Sequence, residues 1–190
     1  MSDFLIMTPA EFRVWLFNTK FKRPIHIIQN HHTWAPGYHA FDNNHLDLLK
    51  GMRDFHVGIR KFSDIGQNLT TFPDGKIAIC RPFDVQPAGI IGANHGGIAI
   101  EHIGNFDIDG DKMTDAHRET ILLVNRYLCD RFNISIDTDH IVYHHWYDLG
   151  SGNREDGKGE TKSCPGTAFF GGNSVEAAKK YFIPEIEKAI

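Results

Sequence analysis

Apolar residues recur along this chain with two periods, one helical and one extended. Phe12, Trp15 and Leu16 stand three and four positions apart, behind Thr8-Pro9-Ala10-Glu11. That tetrad reads as a helix start, with Thr8 as cap, Pro9 at the first helical position and Glu11 three residues on to close a capping box. Ile25-His26-Ile27-Ile28-Gln29-Asn30-His31 follows Pro24 and is rich in β-branched residues, which predicts a strand. A second helix is expected from Asn44 to about Phe55, with Leu48, Leu49, Met52 and Phe55 turned inward. The segments 68–72 and 76–80 flank Pro73-Asp74-Gly75, and an Asp-Gly turn between strand formers predicts a hairpin. Gly97 to Ile103 and Ile141 to His144 read as two further strands. Between them Thr114 caps a long helix whose inner face carries Ala116, Thr120, Leu123, Val124, Tyr127 and Leu128. Asn173, with Glu176 three residues later, opens a C-terminal helix that Pro184 breaks or kinks. Strands and helices alternate, but a hairpin interrupts them. The expected fold class is therefore α/β, a central mixed β-sheet flanked by helices. The glycine-rich stretch 148–161 is expected to be a long exposed loop.

The chain has 190 residues, enough to bury about 70% of its extended surface around one core. One domain is expected over 1–190, its core between about 25 and 170. Hydrophobic residues at 41% and charged residues at 23% exclude a disordered tail, a collagen-like fibre and a coiled coil. A net charge of −4 supplies no overall basic field, so neither nucleic acid nor an anionic membrane is expected as a partner. No apolar run approaches the roughly 20 residues of a membrane span. The opening segment has no basic stretch followed by a sustained apolar one, so synthesis in the cytoplasm without a secretory signal is expected. Cys80, Cys129 and Cys164 are odd in number and far apart, which reads as reduced thiols. A monomer is expected.

Histidine changes the picture, because there are 12 of them, and histidine is both the commonest metal ligand and the natural proton carrier near neutrality. Two predicted strands end in pairs, His31-His32 and His144-His145. Neighbouring strand residues point to opposite faces, so one member of each pair faces a given site. Cys164 sits in Lys162-Ser163-Cys164-Pro165-Gly166, where proline and glycine hold the thiol in a tight turn. Two imidazoles and a thiolate suit zinc, and three protein ligands leave a fourth tetrahedral position open. Asp107, Asp109 and Asp111 mimic the start of a calcium loop, but the position after Asp111 is Lys112 rather than glycine, so they read as a polar turn. His56, His95, His102 and His117 lack partners at a recognisable spacing. Trp34 and Trp146 follow the histidine pairs, where an aromatic can line a groove for sugar and peptide.

The order of these elements is more specific than any one of them. His31-His32-Thr33, Asp64-Ile65-Gly66, Arg81-Pro82, Ile100-Glu101 with Gly104-Asn105-Phe106, Tyr143-His144 and Lys162-Ser163-Cys164-Pro165-Gly166 run from about Ile25 to Phe170. The series resembles the zinc-dependent N-acetylmuramoyl-L-alanine amidases, which include phage endolysins and animal peptidoglycan recognition proteins. The resemblance implies the fold of that family and a Zn2+ site made by His31, His144 and Cys164. It implies Glu101 as the acid–base that activates water and Lys162 as the cation beside the developing oxyanion. The implied substrate is peptidoglycan, a glycan strand with its stem peptide, met as an endolysin on the cell wall after release. Two departures stand out. Gln67 occupies the place where many members carry tyrosine, so it is expected to hydrogen-bond substrate rather than ionise, and weight shifts to Glu101. The interval from His144 to Cys164 is longer than is typical for the family.

Overall fold

The computed structural model describes residues 4–190. Its strands are β1 (Leu5–Met7), β2 (Ile27–His32), β3 (Leu69–Thr71), β4 (Ile77–Ile79), β5 (Gly97–His102) and β6 (Ile141–Tyr143). Its helices are α1 (Pro9–Asn18), α2 (His45–Gly58), α3 (Asp115–Phe132), α4 (Val175–Ala177) and α5 (Ile183–Lys188). All six strands join one sheet in the order β1-β4-β3-β5-β2-β6. β2 runs parallel to β5 and β6, and β3 parallel to β5, while β3–β4 and β4–β1 are antiparallel. The mixed sheet expected from the alternation is thus present, with β1 added at an edge by a short segment that carries no strand signal. No helix among the described residues is long and apolar enough to cross a membrane.

Each face of the sheet carries its own core. Ile28, Ile98, Ile100, Leu69 and Ile77 point toward α1, α3 and the C-terminal helices, and the buried cluster there includes Phe12, Leu16, Val124, Tyr143, Trp146 and Phe182. A smaller cluster on the other face gathers Leu49 of α2 with Ile65, Phe72, Ala78, Cys80 and Ile103. The α1 start is as read: Thr8 Oγ1 accepts from the Glu11 amide at 3.3 Å and the Glu11 carboxylate accepts from the Thr8 amide at 2.8 Å. The Gly75 turn closes β3 onto β4 with φ at +83°, a region that suits glycine.

Three expectations shift. On α2 only Leu49 is fully buried; Leu48 and Met52 are half-buried and Phe55 is 53% exposed. On α3 the buried face holds His117, Ile121 and Asn125 beside Thr120, Val124, Tyr127 and Leu128, whereas Ala116 is exposed and Leu123 half-buried. The C-terminal helix starts one residue later than read, with Ser174 capping the Ala177 amide at 3.0 Å. Pro184 interrupts the regular helix as expected: a π-helical segment, Ala178–Phe182, precedes α5 and sets Pro184 in its first turn, where the missing N–H costs nothing.

A continuous chain of polar side chains lies buried between the sheet and α3. Tyr38 Oη is 2.7 Å from His117 Nδ1, His117 Nε2 is 2.7 Å from Thr71 Oγ1, and Thr71 Oγ1 is 2.7 Å from His102 Nδ1. His102 Nε2 then meets Asn30 Oδ1 at 3.1 Å, and Asn30 and Asn125 exchange two bonds of 3.0 Å. Asn125 Nδ2 also donates to the Ile121 carbonyl at 2.9 Å. A carbonyl only accepts, so it fixes the Asn125 amide and, through it, Asn30 and the donation from His102 Nε2 to Asn30. Burial holds both histidines neutral. With neutral rings Thr71 donates to His102, His117 Nε2 to Thr71, and Tyr38 to His117.

Burial pushes His117 down to about 3, with the bond to Thr71 opposing only in part. An unfolded histidine titrates near 6.5, so the stability from its neutral ring is complete above about pH 6.5 and is lost as pH falls toward 3. The melting temperature should accordingly fall with pH across that window. His117→Gln should flatten the slope while costing about 1–3 kcal/mol at neutral pH, as read by thermal unfolding at a series of pH values.

Candidate active site

Residues directly opposite on paired strands share a face, and this rule assembles the site. His31 on β2 stands opposite Glu101 on β5. Tyr143, the last residue of β6, pairs with Asn30, so His144 emerges beside His31 at the carboxyl end of the sheet. The ring centroids of His31 and His144 are 5.0 Å apart. Cys164 arrives from a distant loop, its Sγ 3.5 Å from His31 Nδ1. One donor atom from each of His31, His144 and Cys164 lies within 4.8 Å of the others, close enough to share an ion. The first histidine pair divides as strand alternation requires, whereas His144 and His145 lie in a 3-10 turn that follows β6. His32 turns to the other face, where its Nδ1 accepts from the Phe106 amide at 3.1 Å. His145 Nδ1 donates to the Lys162 carbonyl at 2.7 Å.

Packing holds the Cys164 turn in place. The His145 amide donates to the Cys164 carbonyl at 2.8 Å, and Thr161 Oγ1 to the His145 carbonyl at 2.7 Å. Gly166 has φ at +123° and lies so close to the Phe106 backbone that a Cβ would approach it to 2.4 Å. The Cys-Pro-Gly and Asn-Phe elements thus meet as one packed unit, which explains why both read as motifs.

Burial sets the charge state of this cluster. It lowers His31 well below its ordinary value, with His144 adding to the effect, and lowers His144 to about 4. It pushes the Cys164 thiol far up, and Glu101 reinforces the shift. Glu101 itself rises to about 8 by desolvation, with Lys162 pulling it back. Two neutral imidazoles and a thiol whose ionisation needs a compensating cation form a donor set that fits zinc.

The cluster lies in a groove of about 1240 Å³ whose lining includes Glu101, Lys162 and Trp34. Trp34 is 62% exposed at the mouth and has φ at +58°, so the backbone itself turns this ring outward. The other two sequence-read contacts do not reach the groove. Trp146 has no exposure, its indole N–H donates to the Asn173 carbonyl at 2.7 Å, and its ring packs 4.6 Å from Tyr143. The turn after His144 directs it into the core, so its assignment to substrate is corrected. Gln67 is 2% exposed and its Nε2 is committed to Thr70 Oγ1 at 3.0 Å, so it too is corrected from a substrate contact to an interior residue. The groove walls that the sequence reading missed come from α2, through Leu48, Met52 and Phe55, and from Ile90 and Ile91 opposite. The signal for α2 was an apolar stripe too broad for one buried face.

The sequence profile of a family described as N-acetylmuramoyl-L-alanine amidase matches residues 21–167. Among solved structures, the endolysin N-acetylmuramoyl-L-alanine amidase LysCS from Clostridium intestinale URNW is 23% identical, with a TM-score of 0.59 over 83% of this chain and 84% of its own. Drosophila PGRP-LB is 19% identical, with a TM-score of 0.62 over 85% of this chain and 83% of its own. A point mutant of that protein in complex with tracheal cytotoxin is 20% identical, with a TM-score of 0.61 over the same shares. At these identities the likeness establishes the fold. No curated protein matches the chain.

The two tryptophans should respond oppositely to truncation. Trp146→Ala is expected to cost about 3–5 kcal/mol of stability, and Trp34→Ala less than about 0.5 kcal/mol, both read by chemical denaturation.

Proposed function

Because the chain belongs to the N-acetylmuramoyl-L-alanine amidase family, we propose that it is a zinc-dependent enzyme that hydrolyses the amide between N-acetylmuramic acid and L-alanine in peptidoglycan. The observation that carries this reading is the convergence of His31, His144 and Cys164 in the groove that also holds Glu101 and Lys162. These three residues would hold the ion. Bound zinc supplies Lewis acidity and a water acidified to a pKa of about 7, and its charge joins Lys162 in drawing Glu101 toward the carboxylate.

The remaining chemistry belongs to the side chains. A Glu101 carboxylate oxygen takes the proton of the attacking water and passes it to the departing alanine nitrogen. Burial raises the proton affinity of Glu101 and so favours its uptake of the water proton, while Lys162 opposes that rise. Lys162, exposed in the groove lining two residues before Cys164, would meet the carbonyl oxygen as negative charge develops. One well-aimed donor of this kind is worth on the order of 3 kcal/mol. Trp34 offers an aromatic face to a sugar ring at the groove mouth, and α2 supplies an apolar wall for the stem peptide. We assign the enzyme to phage or prophage lysis, made in the cytoplasm and acting on the wall after release.

Digestion of purified cell walls should release new amino-terminal L-alanine, detected by labelling and mass spectrometry. Binding to walls without new amino termini, with zinc fully loaded, would instead indicate a recognition module and overturn the enzymatic reading. Cys164→Ser should lose stoichiometric zinc by metal analysis. Glu101→Gln should keep zinc and the native fold while kcat falls about 10²–10⁴-fold.

A further inference from the structure

A buried carboxamide calls for partners, because leaving one unpaired costs about 1–3 kcal/mol. Gln29 has no exposure and lies two residues before His31 on β2, on the same face of the sheet. Its amide is oriented from both ends. Nε2 donates to the Ala93 carbonyl at 2.8 Å, and Oε1 accepts from the Ile90 amide at 3.2 Å. Turned end for end, it would set donor against donor and acceptor against acceptor. The same Oε1 lies 3.2 Å from His31 Nε2. An amide oxygen only accepts, so Nε2 carries the ring proton and Nδ1 keeps its lone pair. Nδ1 is the nitrogen that faces Cys164 Sγ at 3.5 Å. Room for the amide oxygen depends on Gly89, where a Cβ would lie 2.3 Å from Gln29 Oε1 and 3.1 Å from His31 Nε2.

We infer that Gln29 is a positioning residue of the metal centre: clamped by the loop from Gly89 to Asn94, it fixes His31 in the Nε2–H tautomer and so presents Nδ1 to the ion. The inference rests on the zinc reading of the site. It joins the groove wall to the metal ligand, since Gly89, Ile90 and Asn94 also line the groove. A second partner of this kind commonly changes metal affinity 10–100-fold.

Long-range proton–nitrogen NMR on the zinc-free protein reads the tautomer directly, and the Nε2–H form is expected for His31. Zinc affinity, measured by competition with a chromophoric chelator, should weaken about 10–100-fold in Gln29→Met, which fills similar space without an acceptor. Gln29→Glu keeps an acceptor oxygen and loses the donor to Ala93, so it should recover most of the affinity. Gly89→Ala, which displaces the oxygen while leaving Gln29 in place, should weaken zinc as Gln29→Met does. If Gln29 only braced the loop, Gln29→Glu would lose affinity along with Gln29→Met, and the tautomer would not change in either. That pattern, an Nδ1–H tautomer in the unaltered protein, or full affinity in folded Gln29→Met would overturn the inference. An unaltered protein that takes up no zinc would overturn the zinc reading instead, while the tautomer measurement still judges Gln29.

Discussion

The parallel pairing of β2 with β5 on one side and β6 on the other sets His31 between Glu101 and His144, and the rest of the site hangs from that arrangement. Strand side chains alternate, so a one-residue slip of β2 would send His31 to the α3 face and bring Asn30 or His32 to the groove. Apolar residues alone would resist such a slip weakly, since Ile27 and Ile28 are interchangeable in kind. Asn30 supplies the missing specificity. On the α3 face it bonds both His102 and Asn125 at 3.0–3.1 Å, and no other β2 position offers a short amide there. The polar chain behind the sheet therefore guards the register of the chemistry in front of it.

Much of this was legible in the sequence, for local reasons. Thr8 and Glu11 lie three residues apart, and Asp74-Gly75 sits between strand formers; such signals act over a few positions and need no knowledge of the fold. His31, Glu101, His144, Lys162 and Cys164 were legible only as an ordered series, and the structure brings all five to one groove. What was missed was non-local. Trp146 follows His144 just as Trp34 follows the first pair, yet one turn directs its ring inward and the other turns it out. His102 and His117 lack near neighbours in sequence because their shared partner, Thr71, is 31 and 46 residues away. Gln29 did carry a signal, a polar residue two positions from a ligand on one strand, but its meaning depends on Ala93 and Ile90 arriving from another part of the chain.

The two faces of the sheet thus divide the work. On the α3 face, neutral hydrogen bonds of fixed direction hold α3 to β2, β3 and β5. On the α2 face, burial without matching charge leaves a thiol, two imidazoles and a carboxyl all near neutrality, a state that one divalent ion would reorganise at once. Gln29 and the loop it grips belong to the groove side alone, where they brace its wall and orient the first imidazole.

The segment between His144 and Cys164 leaves and returns through a sealed neck. His145 ties Lys162 and Cys164, and beyond it the Leu149 amide donates to the Glu160 carbonyl at 2.8 Å while the Asp148 carboxylate accepts from the Glu160 amide at 2.9 Å. Beyond that neck the segment folds back onto the domain: the Glu155 and Asp156 amides donate to the Trp146 carbonyl at 2.8 and 3.0 Å, and the Arg154 guanidinium to the Thr138 carbonyl at 2.8 Å. Closing a longer excursion adds only about 0.6 kcal/mol for each doubling of length. The exposed side chains of Asn153, Glu155 and Lys158 are therefore the places where the rim facing an incoming polymer can vary while the distance between imidazole and sulfur stays put.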